Sequence, residues 1–491
     1  MLKDSLRYAQ LVIGYPQWMT GKTVAFYGIA FALCTLLWSG FSMPFRFAAV
    51  SIVSVLVFYF GGESFARRNA FVSSRLFVRR LFWLGFSIRL IWVVYSYFAN
   101  MTVFGAHYGD GADVTWYMPV AQAGVEAIKA GNYHLYDLWS TRWGAVFDDM
   151  GYPFWLMVVY LLTGSVSDVF IPFLVKAAVS AYCAVCIYHV AQRHFGEDVA
   201  RLAGIFTALF PHLIYWCGTM FKEAELSFLV CWFVDEMDKV ISSNNVTFAR
   251  VVPASLIGLS LFGFRGPLGV VAFLSVLAGV VMTTSRIMNS GKKVMAGVLV
   301  ALVLFVGMGD RFRNTLDKTI ETVQSSQQED NMEWRAQRVD KGGHTQSFAR
   351  YAGAVVFAPL IFTIPFPTFV TANSAQIVQM QMSGGNFIKN VCSFFVIFVL
   401  FVLLFSREWR KHVFILAFMM GNLVMLALSN FAQSGRFHIP VMPMLLLFAA
   451  LGIKCVNSNP QYKRWFNMAL FVEIGFCLFW NWFKLRGRGM I

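Results

Sequence analysis

A few short stretches carry ionisable residues that stand out from an otherwise apolar chain. "MFKEAE" sets Lys222, Glu223 and Glu225 inside the apolar run 210–234. Ionisable groups beside hydrocarbon are costly enough to need a purpose. "YGDGAD" places Asp110 between Gly109 and Gly111, with Asp113 three residues on. Glycine backbones leave room for close approach of a substrate. A carboxylate there could accept the proton of an acceptor hydroxyl as general base. Arg265 stands alone in "LFGFRGPLG", and Arg436 shares "SGRFHIP" with His438. A guanidinium grips phosphate oxygens as a fork, and a lysine does so as a point charge. A carboxylate base together with cations that stabilise a departing phosphate is the equipment of group transfer.

Each feature also has a plainer reading. D-G-A-D suits an N-cap aspartate with an acid three residues on. Lys222 and the two glutamates would cap a helix start and each other. Arg265 and Arg436 would snorkel to a membrane interface. Asp148 and Asp149 could hold a divalent ion or solvate a turn. No H-E-x-x-H or D-x-D occurs, and "GKT" (21–23) has Pro16 where a phosphate loop needs glycine. The sequence therefore fixes no cofactor and leaves a divalent metal open.

The elements that must position these residues are membrane helices. Of 491 residues 58% are hydrophobic and 13% charged, against roughly 25% charged in a soluble domain. Mean hydropathy is +0.61. Apolar runs long enough to cross a bilayer core recur along the chain, which gives an all-α, polytopic bundle. About thirteen spans are expected, near 25–42, 45–62, 81–101, 168–190, 200–218, 223–241, 251–264, 267–285, 294–308, 388–405, 413–430, 437–454 and 465–482. The start has no small-residue cleavage site, so the first span is expected to direct insertion. The eight cysteines lie almost all in apolar runs and read as packing residues, Cys183 and Cys186 included.

The net charge of +15 would suit a nucleic-acid partner, but its distribution excludes that reading. Arg67 to Arg80, Arg193 with Arg201, Arg286 to Lys293, Arg407 to Lys411 and Lys454 to Arg464 fall in short loops. Cytoplasmic ends of spans carry such clusters. Threading from the inside puts every one of them on the cytoplasmic face. It puts 102–152, "MFKEAE", 309–351 and 430–440 outside together. The stretch 352–370 breaks at "TIPFPTF" and is expected to be re-entrant. Lys484, Arg486 and Arg488 resist, since they end up outside. The chain divides into N-terminal spans (1–101), a first outer loop with amphipathic helices (102–166), a central bundle (167–308), an outer loop with the re-entrant segment (309–387) and C-terminal helices (388–491). Val120, Val125 and Ile128 sit at the spacing of a surface-lying amphipathic helix in that first loop.

An acid at a span exit followed by amphipathic helices resembles the GT-C glycosyltransferases that use polyprenyl-phosphate sugars. "GYPFWLMVVYLLTG" (151–164) stands where the protein mannosyltransferase and aminoarabinose transferase types carry a His-Pro-Pro-Leu-like stretch. "VAQRHFGEDVARLAGIFTALFP" (190–211) resembles their cytoplasmic turn and following helix. "SGRFHIPVMPMLLLFAALGI" (434–453) resembles their late helix. The likeness covers roughly 100–240 and 430–455. This chain differs in two extra spans before the loop, in Tyr152-Pro153 for His-Pro-Pro, and in having no large soluble C-terminal domain.

The resemblance implies an inverting hexosyl or pentosyl transferase of the plasma (bacterial inner) membrane. The donor would be a polyprenyl-phosphate-linked sugar, and the acceptor a glycan, lipid or protein among membrane lipids. Asp110, Asp113 and Glu223 are the expected catalytic residues, and Lys222, Arg265, Arg436 and His438 the expected substrate-binding ones. A flippase for a lipid-linked saccharide, or a polymerase of lipid-linked repeat units, are the alternatives. A transporter should show discontinuous helices paired in related halves, and no such repeat is visible.

Overall fold

The structure is a computed structural model that describes residues 15–108, 112–144, 147–166, 168–242, 248–284, 360–371, 380–428, 434–486 and 490–491. Asp110, the span 294–308 and the loop 309–351 lie outside the described residues. The described chain is helical, with one isolated antiparallel bridge between Ser42 and Val370. In chain order the helices are α1 (Gln17–Leu37), α2 (Phe45–Arg68), α3 (Ser74–Phe104), α4 (Ala112–Lys129), α5 (Leu135–Trp143) and α6 (Phe147–Thr163). There follow α7 (Phe170–Phe195), α8 (Glu197–Leu209), α9 (Pro211–Gly218), α10 (Glu223–Ser242), α11 (Phe248–Phe264) and α12 (Gly266–Thr284). The last are α13 (Ser383–Phe405), α14 (Glu408–Leu428), α15 (Gly435–Asn457) and α16 (Pro460–Arg486).

Eight of the expected spans appear as helices long and apolar enough to cross a membrane: α1, α2, α3, α7, α13, α14, α15 and α16. The chain is thus an integral, multi-pass membrane protein. The run 200–218 forms the pair α8 and α9, bent by 46°, because Pro211 has no N–H to continue the helix. The runs 251–264 and 267–285 form shorter apolar helices. The run 223–241 becomes α10, which carries Glu223 and Glu225 at one end and Asp235, Glu236, Asp238 and Lys239 at the other. Such a helix survives in an apolar setting by pairing its charges inside the protein.

Burial sorts the bundle into centre and rim. The apolar stretch of α15 is 83% buried, against 28% for α1 and α3. Packing runs α3–α7–α8–α15–α13 through the middle, with α10, α11 and α6 joined to α7 on one flank. The rim shows Phe45, Phe98, Leu162 and Phe405 to the outside, as a lipid-facing surface should.

A buried arginine mends the broken span. Pro211 leaves the carbonyl of Thr207 without its helical donor. Arg89 of α3, fully buried, donates to Thr207 O at 3.4 Å, Ala208 O at 2.7 Å, Gly85 O at 3.0 Å and Ser180 Oγ at 2.9 Å. Further along α3, Trp92 donates to Tyr215 O and Asn100 to Gly218 O, both at 2.9 Å. Three side chains of one helix therefore hold the backbone leading to Lys222. At Gly218 a Cβ would collide with Ser96, so only glycine permits this approach.

Residues 361–371 are non-helical and buried or half-buried, and neighbouring side chains take their backbone groups. Ser383 and Ser393 of α13 donate to Thr368 O and Phe362 O, both at 2.5 Å, and Lys389 donates to Ile364 O. Asn481 of α16 accepts from Phe369 N at 2.8 Å. Irregular backbone at membrane depth needs this kind of protein-internal satisfaction. Lys484 belongs to the same arrangement, donating to Thr368 Oγ1 at 3.0 Å.

The two ends of the bundle keep their charges apart. Arg193 pairs with Asp235 at 2.8 Å and Asp238 at 2.6 Å, while His194 bridges Asp238 (2.7 Å) and His412 (2.9 Å). All belong to loops and helix ends that the charge pattern assigns to the cytoplasm. Asp113, Lys222, Glu223, Arg265 and Arg436 meet at the opposite helix ends.

Candidate active site

The site forms where the ends of α9 and α11 and the starts of α4, α6, α10 and α15 converge. Glu223, the first residue of α10, is fully buried. Its Oε1 accepts from Arg436 Nε at 2.5 Å and from Arg265 Nη2 at 3.3 Å. The same Arg436 donates through Nη2 to Asp113 Oδ2 at 2.5 Å. One carboxylate oxygen thus organises two guanidinium groups, while Glu223 Oε2 is buried with no hydrogen-bond partner among the described residues.

Lys222 completes the constellation. Its Nζ donates to Asp149 Oδ1 of α6 and, at 2.7 Å, to the carbonyl of Phe264, the residue before Arg265. Burial pulls the Lys222 ammonium below the usual lysine range, against the opposing pull of Asp149. Its ammonium also lies 5.9 Å from the ring of Tyr117 on α4. Burial, with the carboxylates of Asp149, Glu223 and Asp113 close by, pushes the Tyr117 phenol well up. Tyr117 is therefore a neutral hydroxyl at ordinary pH.

Aromatic faces steady the arginines. Arg436 lies 4.3 Å over Phe221 and Arg265 4.5 Å over Phe437, at cation–π distance. Among the described residues, Lys222, Arg265 and Arg436 pair with Asp113, Asp149 and Glu223. Their exposure is uneven, since the Glu223 side chain is 0% exposed, Asp113 42% and Asp149 48%.

The local fold explains the convergence. A Cβ at Gly151 would meet Phe264 Cδ2 at 2.5 Å and the Gly263 backbone at 2.8 Å. Two glycines thus let α6 and α11 touch, as small residues do between membrane helices. That contact brings Asp149 beside Phe264 and Lys222. The face of α4 expected to lie on a surface is instead packed within the protein, with Val114, Tyr117, Val120 and Val125 buried. Asp113 and Tyr117 are thereby fixed rather than floating.

Lys176 of α7 is a further residue of the site, one that charge clustering does not reveal. Fully buried, it donates to Thr219 O at 2.7 Å and to Phe221 O, with Glu225 at 3.6 Å and the Tyr152 ring at 4.9 Å. It holds the turn carrying Lys222 from beneath. A lone lysine in "FIPFLVKAAVSAY" was the available signal. Of the expected residues, Asp113, Lys222, Glu223, Arg265 and Arg436 come together. His438 faces elsewhere, two residues past Arg436 on the same helical turn. It is fully buried, with Nδ1 3.2 Å from Lys389 Nζ. Among the described residues no three His, Cys, Asp or Glu side chains gather as a metal-holding group.

No protein-family model and no curated protein matches the chain. Solved structures similar to it include the archaeal oligosaccharyltransferase AglB from Archaeoglobus fulgidus in complex with an inhibitory peptide and a dolichol-phosphate. That pair is 9% identical with a TM-score of 0.47, over 84% of this chain and 54% of that one. The Archaeoglobus fulgidus oligosaccharyltransferase tethered to an acceptor peptide containing the NVT sequon is also 9% identical, with a TM-score of 0.48 over the same shares. Its apo form is 10% identical, with a TM-score of 0.45, over 82% and 54%. The chain spans about half the length of these structures, and at this level the likeness fixes no residue's role.

Proposed function

We propose that this chain is a membrane glycosyltransferase that passes a sugar from a polyprenyl-phosphate donor to an acceptor hydroxyl at the outer face of the plasma membrane. The observation that carries the reading is the gathering of Lys222, Arg265 and Arg436, from three separate segments, around the buried Glu223. Three cations at one helix-end junction beside an apolar surface suit a lipid phosphate, whose charge grows as it leaves.

In the step itself the acceptor oxygen bonds to the anomeric carbon from the face opposite the phosphate. The carbon–oxygen bond to phosphate breaks, and its electron pair departs with the polyprenyl phosphate. The acceptor proton passes to a carboxylate of the first outer loop, Asp110, with Asp113 beside it in sequence. Direct displacement of this kind inverts the anomeric centre. The three cations stabilise the departing phosphate, Glu223 sets the two arginines, and Lys176 sets the turn. Acceptor glycan, lipid or protein would approach from the water side of α4 and α5.

The test uses purified protein in vesicles with a radiolabelled polyprenyl-phosphate sugar and an acceptor extract. Transfer of label, lost in Asp110→Asn, supports the reading. Movement of label across the vesicle membrane with the sugar–phosphate bond intact would replace it with a transporter.

A further inference from the structure

Among the described residues, two of the three carboxylates paired with Lys222, Arg265 and Arg436 are not the sole anchors of their cations. Lys222 keeps the Phe264 carbonyl at 2.7 Å and the Tyr117 ring at 5.9 Å without help from Asp149. Arg436 keeps Glu223 at 2.5 Å and the Phe221 face at 4.3 Å without help from Asp113. Glu223 is inaccessible, whereas Asp113 and Asp149 are nearly half exposed. An anion arriving from outside therefore meets these two first, each seated on the outward donor of a cation that is otherwise anchored.

We infer that Asp149 and Asp113 are stand-ins for the donor phosphate: the phosphate displaces Asp149 from Lys222 and Asp113 from Arg436. The inference rests on the donor-phosphate reading above and adds two specific exchangeable contacts to it. The donor phosphodiester matches a carboxylate, with two free oxygens and one charge, and the phosphate released as the sugar leaves has three oxygens and more charge. Ion pairs with half-exposed partners are weak, so the exchange becomes favourable as the sugar departs. Until then each cation keeps a carboxylate partner, which spares the buried Lys222 and the half-buried Arg265 and Arg436 from lying unpaired. The carboxylates freed by the exchange remain beside the bound phosphate and turn toward the water side, where an acceptor hydroxyl arrives.

The exchange predicts a sign opposite to that of an ordinary supporting ion pair. Full-length protein in detergent is titrated with farnesyl phosphate by calorimetry, with farnesol as the tail-only control. Asp149→Asn should bind farnesyl phosphate about two- to tenfold tighter than wild type, because a competing anion is gone. Farnesol binding should stay unchanged, and Lys222→Ala should bind the phosphate more weakly. Should Asp149→Asn fail to fold, Asp113→Asn reads the same exchange at Arg436. Unchanged or weaker binding in the variant overturns the exchange alone, provided wild type prefers farnesyl phosphate to farnesol. Equal binding of the two ligands by wild type brings down the phosphate reading, and this inference with it.

Discussion

Glu223 and Arg436 lie 213 residues apart and meet through a 2.5 Å hydrogen bond from Nε to Oε1, tying the start of α10 to the start of α15. Because Glu223 is buried and also receives Arg265 at 3.3 Å, it is the anion on which two cations depend. Removing one partner of a buried pair leaves an uncompensated charge, at a cost of about 3–5 kcal/mol.

Glu223→Gln should therefore lower the thermal midpoint in detergent and cut donor use at least about tenfold, since the carboxylate that both guanidinium groups share is gone. Thermal unfolding and transfer are read on the same preparation. A variant with wild-type midpoint and wild-type transfer would show that Glu223 organises nothing.

Lys176→Met should raise the donor KM more than it lowers kcat. The lysine donates to the carbonyls of Thr219 and Phe221 and lies beside the Glu225 carboxylate and the Tyr152 ring, so its loss frees the turn that aims Lys222. Lys176→Arg should not restore the wild-type KM, since the site is fully enclosed. A uniform loss of active protein, with KM intact, would instead mark a purely structural lysine.

How far the sequence alone reached follows from what each signal measures. Hydropathy found eight of the expected spans among the described residues because crossing a bilayer demands length and apolarity. Together with charge placement it also put Lys222, Arg265 and Arg436 at the same face. Neither could say that Arg265 and Arg436 share one carboxylate, since that contact depends on how α10, α11 and α15 pack. Arg89 and Lys176 escaped because a lone cation in an apolar run looks like a snorkelling one. Their carbonyl partners at 207–221 exist only once Pro211 has bent the span. His438 looked equivalent to Arg436 in sequence, but two residues along a helical turn point to different neighbours.

Topology gives an independent check. Tyr133, before α5, is 75% exposed and belongs to the loop threaded to the outside. Tyr133→Cys in a chain stripped of other accessible thiols should react with an impermeant maleimide in intact cells. Reaction only after permeabilisation would invert the bundle and move the site to the cytoplasm.

The sharpest prediction concerns Arg436, because its fork is used in two directions. Nε points inward to Glu223 and Nη2 outward to Asp113, each at 2.5 Å, while the plane stacks 4.3 Å from Phe221. A lysine can supply charge at one point but cannot serve both directions and stack as well. Arg436→Ala should then weaken donor use about ten- to hundredfold, the worth of one charge-assisted contact of roughly 1.5–3 kcal/mol. Arg436→Lys should recover only part of that. Arg265 makes a single, longer bond at 3.3 Å to Glu223, so Arg265→Lys should be the milder change. Donor KM measured at fixed acceptor separates these cases, with acceptor KM as the internal control. Full activity in Arg436→Lys would mean that charge alone matters and that the fork has no role at the phosphate.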